Sequence, residues 1–128
     1  MDCKSLLVTG GAGFIGCNFV RLLLETETDL QIVNLDALTY AGNLASLGDC
    51  LESPRHRFVK GSITNAELVR FILREYDIDG IINFAAESHV DRSITGPQVF
   101  VETNVGGTLT LLHEGRNAGI KRFLQVST

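Results

Sequence analysis

The feature that most constrains this chain is the passage Val8-Thr9-Gly10-Gly11-Ala12-Gly13-Phe14-Ile15-Gly16, where an apolar run stops in glycines and an apolar-periodic segment begins at once. A buried strand turning tightly into a helix fits this pattern. Gly10 and Gly13 permit the sharp turn, and Gly16 lets the helix lie hard against the strand. The start of such a helix offers unpaired N–H groups and partial positive charge to a phosphate. Glycines alone are weak evidence, because a purely structural turn uses them too. The strand–helix context strengthens the signal, as does Asp36, twenty residues after Gly16 at the end of the apolar run Gln31 to Leu35. A carboxylate there accepts the hydroxyls of an adenosine ribose and repels a 2′-phosphate, so the expected cofactor is NAD rather than NADP. The competing reading of Asp36 is a plain turn residue.

Further along, apolar segments of strand and helix length alternate without repeat, linker or low-complexity tract. Phe14, Ile15, Phe19, Val20, Leu22, Leu23 and Leu24 recur at helical spacing, with Arg21 and Glu25 off the face. A short helical piece is expected over 44–51, broken by Pro54, then a third strand over 57–60. Thr64 reads as an N-cap, with Glu67 completing a capping box for a helix to about Tyr76. Ile81 to Ala86 is too continuously apolar for a half-solvated antiparallel strand. Pro97 opens a long helix to about Asn117, and residues 121–126 form a fifth strand. Val99, Phe100, Val101, Val105, Leu109, Leu111 and Leu112 occupy more than one face of that long helix, so a second subunit is expected against it. His56 and His113 read as surface residues.

Such alternation gives an α/β fold: a Rossmann-type, doubly wound parallel sheet, here ending after its fifth strand, with ligands at the carboxyl ends of the strands. The 128 residues make one domain, and the formal charge of −4 favours neither nucleic acid nor an anionic membrane as partner. No apolar run is long enough to span a bilayer. Cys3, Cys17 and Cys50 are odd in number and lack metal-ligand spacing, so reduced thiols in a cytoplasmic protein without a metal are expected.

The glycine loop resembles that of the extended short-chain dehydrogenase/reductase family. The segments Asp36-Ala37-Leu38-Thr39-Tyr40-Ala41-Gly42-Asn43-Leu44 and Ala85-Ala86-Glu87-Ser88-His89-Val90-Asp91-Arg92-Ser93-Ile94 are similar to those of the dTDP-glucose 4,6-dehydratases within it. The resemblance covers essentially the whole chain. It implies that Gly10, Gly13 and Gly16 form the phosphate turn, with Phe14 and Ile15 along the pyrophosphate. Asp36, Ala37, Leu38 and Thr39 would surround the adenosine ribose, and Ser62 and Ile63 the adenine. Phe84, Ala85, Ala86 and Ser88 would line the path to the nicotinamide, with Thr103 nearby. Ser88 and His89 would approach the sugar nucleotide, and Thr128 the hexose near its C4 hydroxyl. For His89 a structural role stands equally open. Where the family carries an acidic residue against the adenine amino group this chain has Ser62, an uncharged acceptor whose bond is weaker by about 1 kcal/mol.

The reaction implied by the resemblance is conversion of dTDP-glucose to dTDP-4-keto-6-deoxyglucose: oxidation at C4, loss of water from C5 and C6, and reduction at C6. No catalytic residue is assigned here. Four residues beyond Tyr40 is Leu44 and four beyond Tyr76 is Gly80, so the family's Tyr-x-x-x-Lys pair is absent. The expectation is therefore an inactive cofactor-binding segment, 1–128, of a longer homodimeric dehydratase, with the substrate lobe and later strands outside it. Ending at Thr128, it should expose an open sheet edge and be marginally stable or self-associating. Another epimerase or dehydratase of the same family, or a stand-alone nucleotide-binding module without catalysis, remains open.

Overall fold

The computed structural model describes residues 3–38, 44–84 and 102–126. Five parallel strands form one sheet in the order β3-β2-β1-β4-β5, with β1 at Ser5–Thr9, β2 at Gln31–Asp36, β3 at His56–Lys60, β4 at Gly80–Asn83 and β5 at Arg122–Gln125. Helix α1 (Phe14–Thr26) and a kinked 3-10 segment (Leu44–Glu52) cover one face. Helices α2 (Ala66–Glu75) and α3 (Thr108–Asn117) cover the other. This is the Rossmann arrangement expected from the alternation of strands and helices. The order reverses between β1 and β4, which opens a crevice at their carboxyl ends.

Alternation along the strands sorts the core. Leu6, Val8 and Ile82 join Val20 and Leu23 of α1, while Leu7, Leu35 and Ile81 join Val69 and Ile72 of α2 and Leu111 of α3. Polar contacts help to hold the layers. Arg55 donates to the carbonyls of Leu24, Glu27 and Leu30, closing the end of α1 onto the start of β3. Arg70 of α2 forms a forked pair with the buried Glu114 of α3, at 2.9 and 3.2 Å. That hydrogen bonding holds the Glu114 carboxyl below its ordinary range.

Several expectations are corrected. Of the residues read at helical spacing in α1, Val20 and Leu23 are buried, together with Gly16 and Cys17, but Phe14, Ile15 and Leu22 are exposed. Helix α2 is capped by Asn65, whose side chain accepts from Leu68 N, and not by Thr64. The Thr64 hydroxyl is already engaged with Ser62, which shifts the cap by one residue. His56 is buried, not on the surface, because its register opposite Ile32 turns it towards the α1 side of the sheet. Burial pushes its pKa down. The long helix is described from residue 102 onward, starting with a π-helical turn (Glu102–Gly107). Its expected beginning at Pro97, and the apolar residues Val99, Phe100 and Val101, lie outside the described residues.

Candidate functional site: a crevice at the strand ends

Strands β1, β4 and β5 finish in one row, and β2 and β3 pair one row further, Asp36 opposite Lys60. Thr9 lies opposite Leu35 and Asn83, Leu35 opposite Val59, and Asn83 opposite Gln125. Single hydrogen bonds then carry the ladder one residue further, from Gly10 N to Leu35 O (2.9 Å), Gly61 N to Asp36 O (3.1 Å), Phe84 N to Thr9 O (2.8 Å) and Val126 N to Asn83 O (3.1 Å). Of the predicted site residues, Gly10, Gly13, Ala37, Leu38, Ser62, Ile63 and Phe84 lie in the connections that leave this edge.

Gly10 takes φ of 72°, a left-handed turn that an L side chain rarely adopts. Gly13 stands at the N-cap of α1 in extended conformation with no side-chain cap, so the first-turn amides face the crevice without a protein side chain closing them off. Gly16 meets the loop closely enough that a Cβ there would strike the Gly10 carbonyl oxygen. Phe14 and Ile15 stand out from this turn at 83% and 59% exposure. Large apolar side chains so open to water at an uncapped helix start suit a surface that a bound group would cover.

Asp36 sits against the same turn. One carboxylate oxygen accepts from Ala12 N at 2.9 Å, and the other from Leu38 N at 2.8 Å. Each oxygen keeps a second lone pair, so the carboxylate can still take hydroxyl donors. Its bond to Leu38 N closes a turn in which Leu38 adopts φ of 55°, uncommon for a leucine. Ala37 and Leu38 are half-buried at the start of this loop, and Thr39 lies outside the described residues.

On the far side of β2, Ser62 is half-buried and accepts from Thr64 N at 3.1 Å. Ile63 is buried and fills the space where Gly107 lacks a side chain, so only its backbone can border the crevice. Phe84 turns its ring onto Phe19 of α1, with centroids 5.3 Å apart, and presents backbone towards the strand ends. Thr103 lies in the π-helical turn. Ala85, Ala86, Ser88, His89 and Thr128 lie outside the described residues.

The sequence reading missed one group, a row of polar side chains just beneath the crevice that runs from buried Thr9 and Asn83 to exposed Gln125. Asn83 accepts from Thr9 Oγ1 and donates through Nδ2 to Gln125 Oε1 (2.7 Å) and Thr108 Oγ1 (3.4 Å). No motif marks it, because strand register alone brings these residues together.

A dinucleotide fits these residues: amides for a pyrophosphate, a glycine cradle for close backbone approach, and a carboxylate spaced for a ribose. Comparison with known proteins agrees with the geometry. The chain is 58% identical over 123 residues to the low-salt glycan biosynthesis protein Agl12 of Haloferax volcanii, covering 96% of this chain and 39% of that protein. It is 52% identical to a dTDP-glucose 4,6-dehydratase of Xanthomonas campestris, covering 95% of this chain and 37% of that one. The crystal structure of DesIV, a dTDP-glucose 4,6-dehydratase from Streptomyces venezuelae with NAD bound, superposes with a TM-score of 0.87 at 53% identity, over 93% of this chain and 38% of that one. The chain thus spans a little over a third of the length of these relatives. Residues 7–128 match the family model described as GDP-mannose 4,6 dehydratase, and the chain belongs to that family.

Proposed function

We propose that this chain is the NAD-binding segment, 1–128, of a dTDP-glucose 4,6-dehydratase. The observation that carries the cofactor assignment is the contact between the Asp36 carboxylate and Ala12 N, which sets a ribose acceptor beside the uncapped start of α1. The dTDP-glucose 4,6-dehydratases to which the chain is similar support the substrate.

In this reading the amides after Gly13 hold the pyrophosphate, with Phe14 and Ile15 covering it, and the spare lone pairs of Asp36 accept the ribose hydroxyls. Ala37, Leu38 and Thr39 border the ribose, and Ser62 and the Ile63 backbone border the adenine. Phe84, Ala85, Ala86, Ser88 and Thr103 lead towards the nicotinamide, while Ser88, His89 and Thr128 reach the sugar nucleotide. Bound NAD supplies a transient hydride acceptor, so that C4 is oxidised, water is lost across C5 and C6, and C6 is reduced without net redox change. The proton-transferring Tyr-x-x-x-Lys pair is not among these 128 residues. The segment alone is therefore proposed to bind the cofactor without turning over substrate.

Titration of the chain with NAD and with NADP tests the cofactor assignment. A 2′-phosphate brought against the Asp36 carboxylate costs at least about 1.4 kcal/mol, so NAD is expected to bind at least about tenfold more tightly. Equal affinity, or a preference for NADP, removes Asp36 from the ribose site. In the full-length protein, conversion of dTDP-glucose to a 4-keto-6-deoxy product supports the dehydratase over both an epimerase and a non-catalytic module.

Two further parts of the reading rest on the surface and the thiols. Val105, Leu109 and Leu112 form an exposed apolar stripe at helical spacing along the last helix, which supports a homodimer of the full-length protein. Sedimentation of that protein as a monomer at micromolar concentration would oppose it. Cys3, Cys17 and Cys50 are buried free thiols, which supports a cytoplasmic location. Among the described residues, no helix is long and apolar enough to cross a membrane.

A further inference from the structure

Asn83 is fully buried, and its side chain is therefore screened from anything bound in the crevice. It nevertheless occupies the last row in which β1, β4 and β5 pair, level with Thr9 and Gln125. Thr9 precedes the glycine turn. Asn83 itself precedes the segment 84–88. Gln125 precedes 126–128. The amide joins all three strands, accepting from Thr9 Oγ1 and donating to Gln125 Oε1 and to Thr108 Oγ1 at the start of α3. Just beyond it, Phe84 N donates to Thr9 O and Val126 N to Asn83 O, so the backbone of two departing loops hangs from the same row.

An amide buried here carries a desolvation cost that an apolar side chain of similar size would avoid. Apolar packing of Ile81, Leu7 and Phe123 one row-pair deeper already holds the strands side by side. Hydrogen bonds add direction: they fix how far the ends of β1, β4 and β5 stand from one another, which packing alone defines loosely.

We propose that Asn83 is a positioning residue for the hydride-transfer step, its amide fixing the separation of the three strand ends, and with it the backbone at Phe84 and Val126, from which the residues proposed for nicotinamide and hexose follow in sequence. This rests on the dehydratase reading above. Residues placed near the nicotinamide follow Asn83 directly, and Thr128, placed at the hexose, follows Gln125 by three positions.

The test uses the full-length protein with Asn83→Leu, Gln125→Leu and Gln125→Glu. Gln125 is exposed at the edge strand of the described sheet, so its variants should fold even if Asn83→Leu does not. Misplacement of reacting groups by a fraction of an ångström should lower kcat by about tenfold in Asn83→Leu and by a smaller factor in Gln125→Leu. NAD affinity and KM should stay within about threefold, because neither side chain is placed at the cofactor. Gln125→Glu keeps the acceptor for Asn83 Nδ2 and should retain most of kcat. Amide hydrogen exchange at Phe84 and Val126, read without substrate, should quicken in both leucine variants and not in the glutamate variant.

Wild-type kcat in folded leucine variants overturns the proposal. So does a loss in kcat matched by an equal loss in NAD affinity, or a Gln125→Glu variant no better than Gln125→Leu. A wild-type protein that binds NAD but does not convert dTDP-glucose overturns the dehydratase reading, and this inference falls with it.

Discussion

Gly16→Ala is expected to abolish measurable NAD binding by this chain and to destabilise it by about 1–3 kcal/mol, the range for overpacking a tight site. The added Cβ would strike the Gly10 carbonyl oxygen and lie 2.8 Å from Gly11 Cα and 3.0 Å from the Gly10 carbonyl carbon. All three are backbone atoms, so no side chain can swing aside. The turn has little room to yield, because Gly10 is already left-handed and its N–H is tied to Leu35 O. Relief would come from moving α1 away from β1, which displaces the amides proposed to hold the pyrophosphate. Denaturant midpoints and NAD titration measure the two effects together. Gly106→Ala is the control: a Cβ there meets nothing within 4 Å. Unchanged NAD affinity in Gly16→Ala would show that the turn is not the phosphate site.

Asp36→Asn is expected to weaken NAD binding by at least about tenfold and to lose discrimination against NADP. The carboxylate serves two backbone donors, Ala12 N and Leu38 N, one on each oxygen. An asparagine has one oxygen and one NH2, so one of those N–H groups would face another donor. Leaving a buried N–H unsatisfied costs about 1–3 kcal/mol. The substitution thus acts twice on the proposed ribose site: it removes the charge and loosens the turn holding Leu38 in its left-handed conformation. Differential scanning with and without each cofactor separates the parts. Retained preference for NAD would mean that discrimination arises elsewhere.

How far the sequence announced this site depends on whether the information was local. The glycine turn and Asp36 were legible because residue type and spacing dictate their backbone, and their contact through Ala12 N follows from two strands lying side by side. Phe14 and Ile15 misled for a related reason. Periodicity assigns apolar residues to a buried face, yet the first turn of α1 projects past the strand ends into the crevice. At the start of α2, Thr64 and Asn65 are both capable caps, and the choice fell to Asn65 through a side-chain contact between Ser62 and Thr64 that spacing does not encode. His56, flanked by Arg55 and Arg57, reads as part of a solvated run until pairing with Ile32 fixes which way it points. The row through Asn83 was least visible. Thr, Asn and Gln carry weak local preferences, and they meet only because residues 74 and 42 positions apart share a register.

That shared register bears on how the chain can change length. Side chains alternate strictly along a strand, so deleting one residue inside β4 would rotate Asn83 to the α1 side and bring Phe84 opposite Thr9 and Gln125. The same deletion in a departing loop leaves the row intact. Insertions and losses are therefore tolerable on one side of a boundary a single residue wide, and the floor of the crevice behaves as a ruled line from which loops of differing length can be hung.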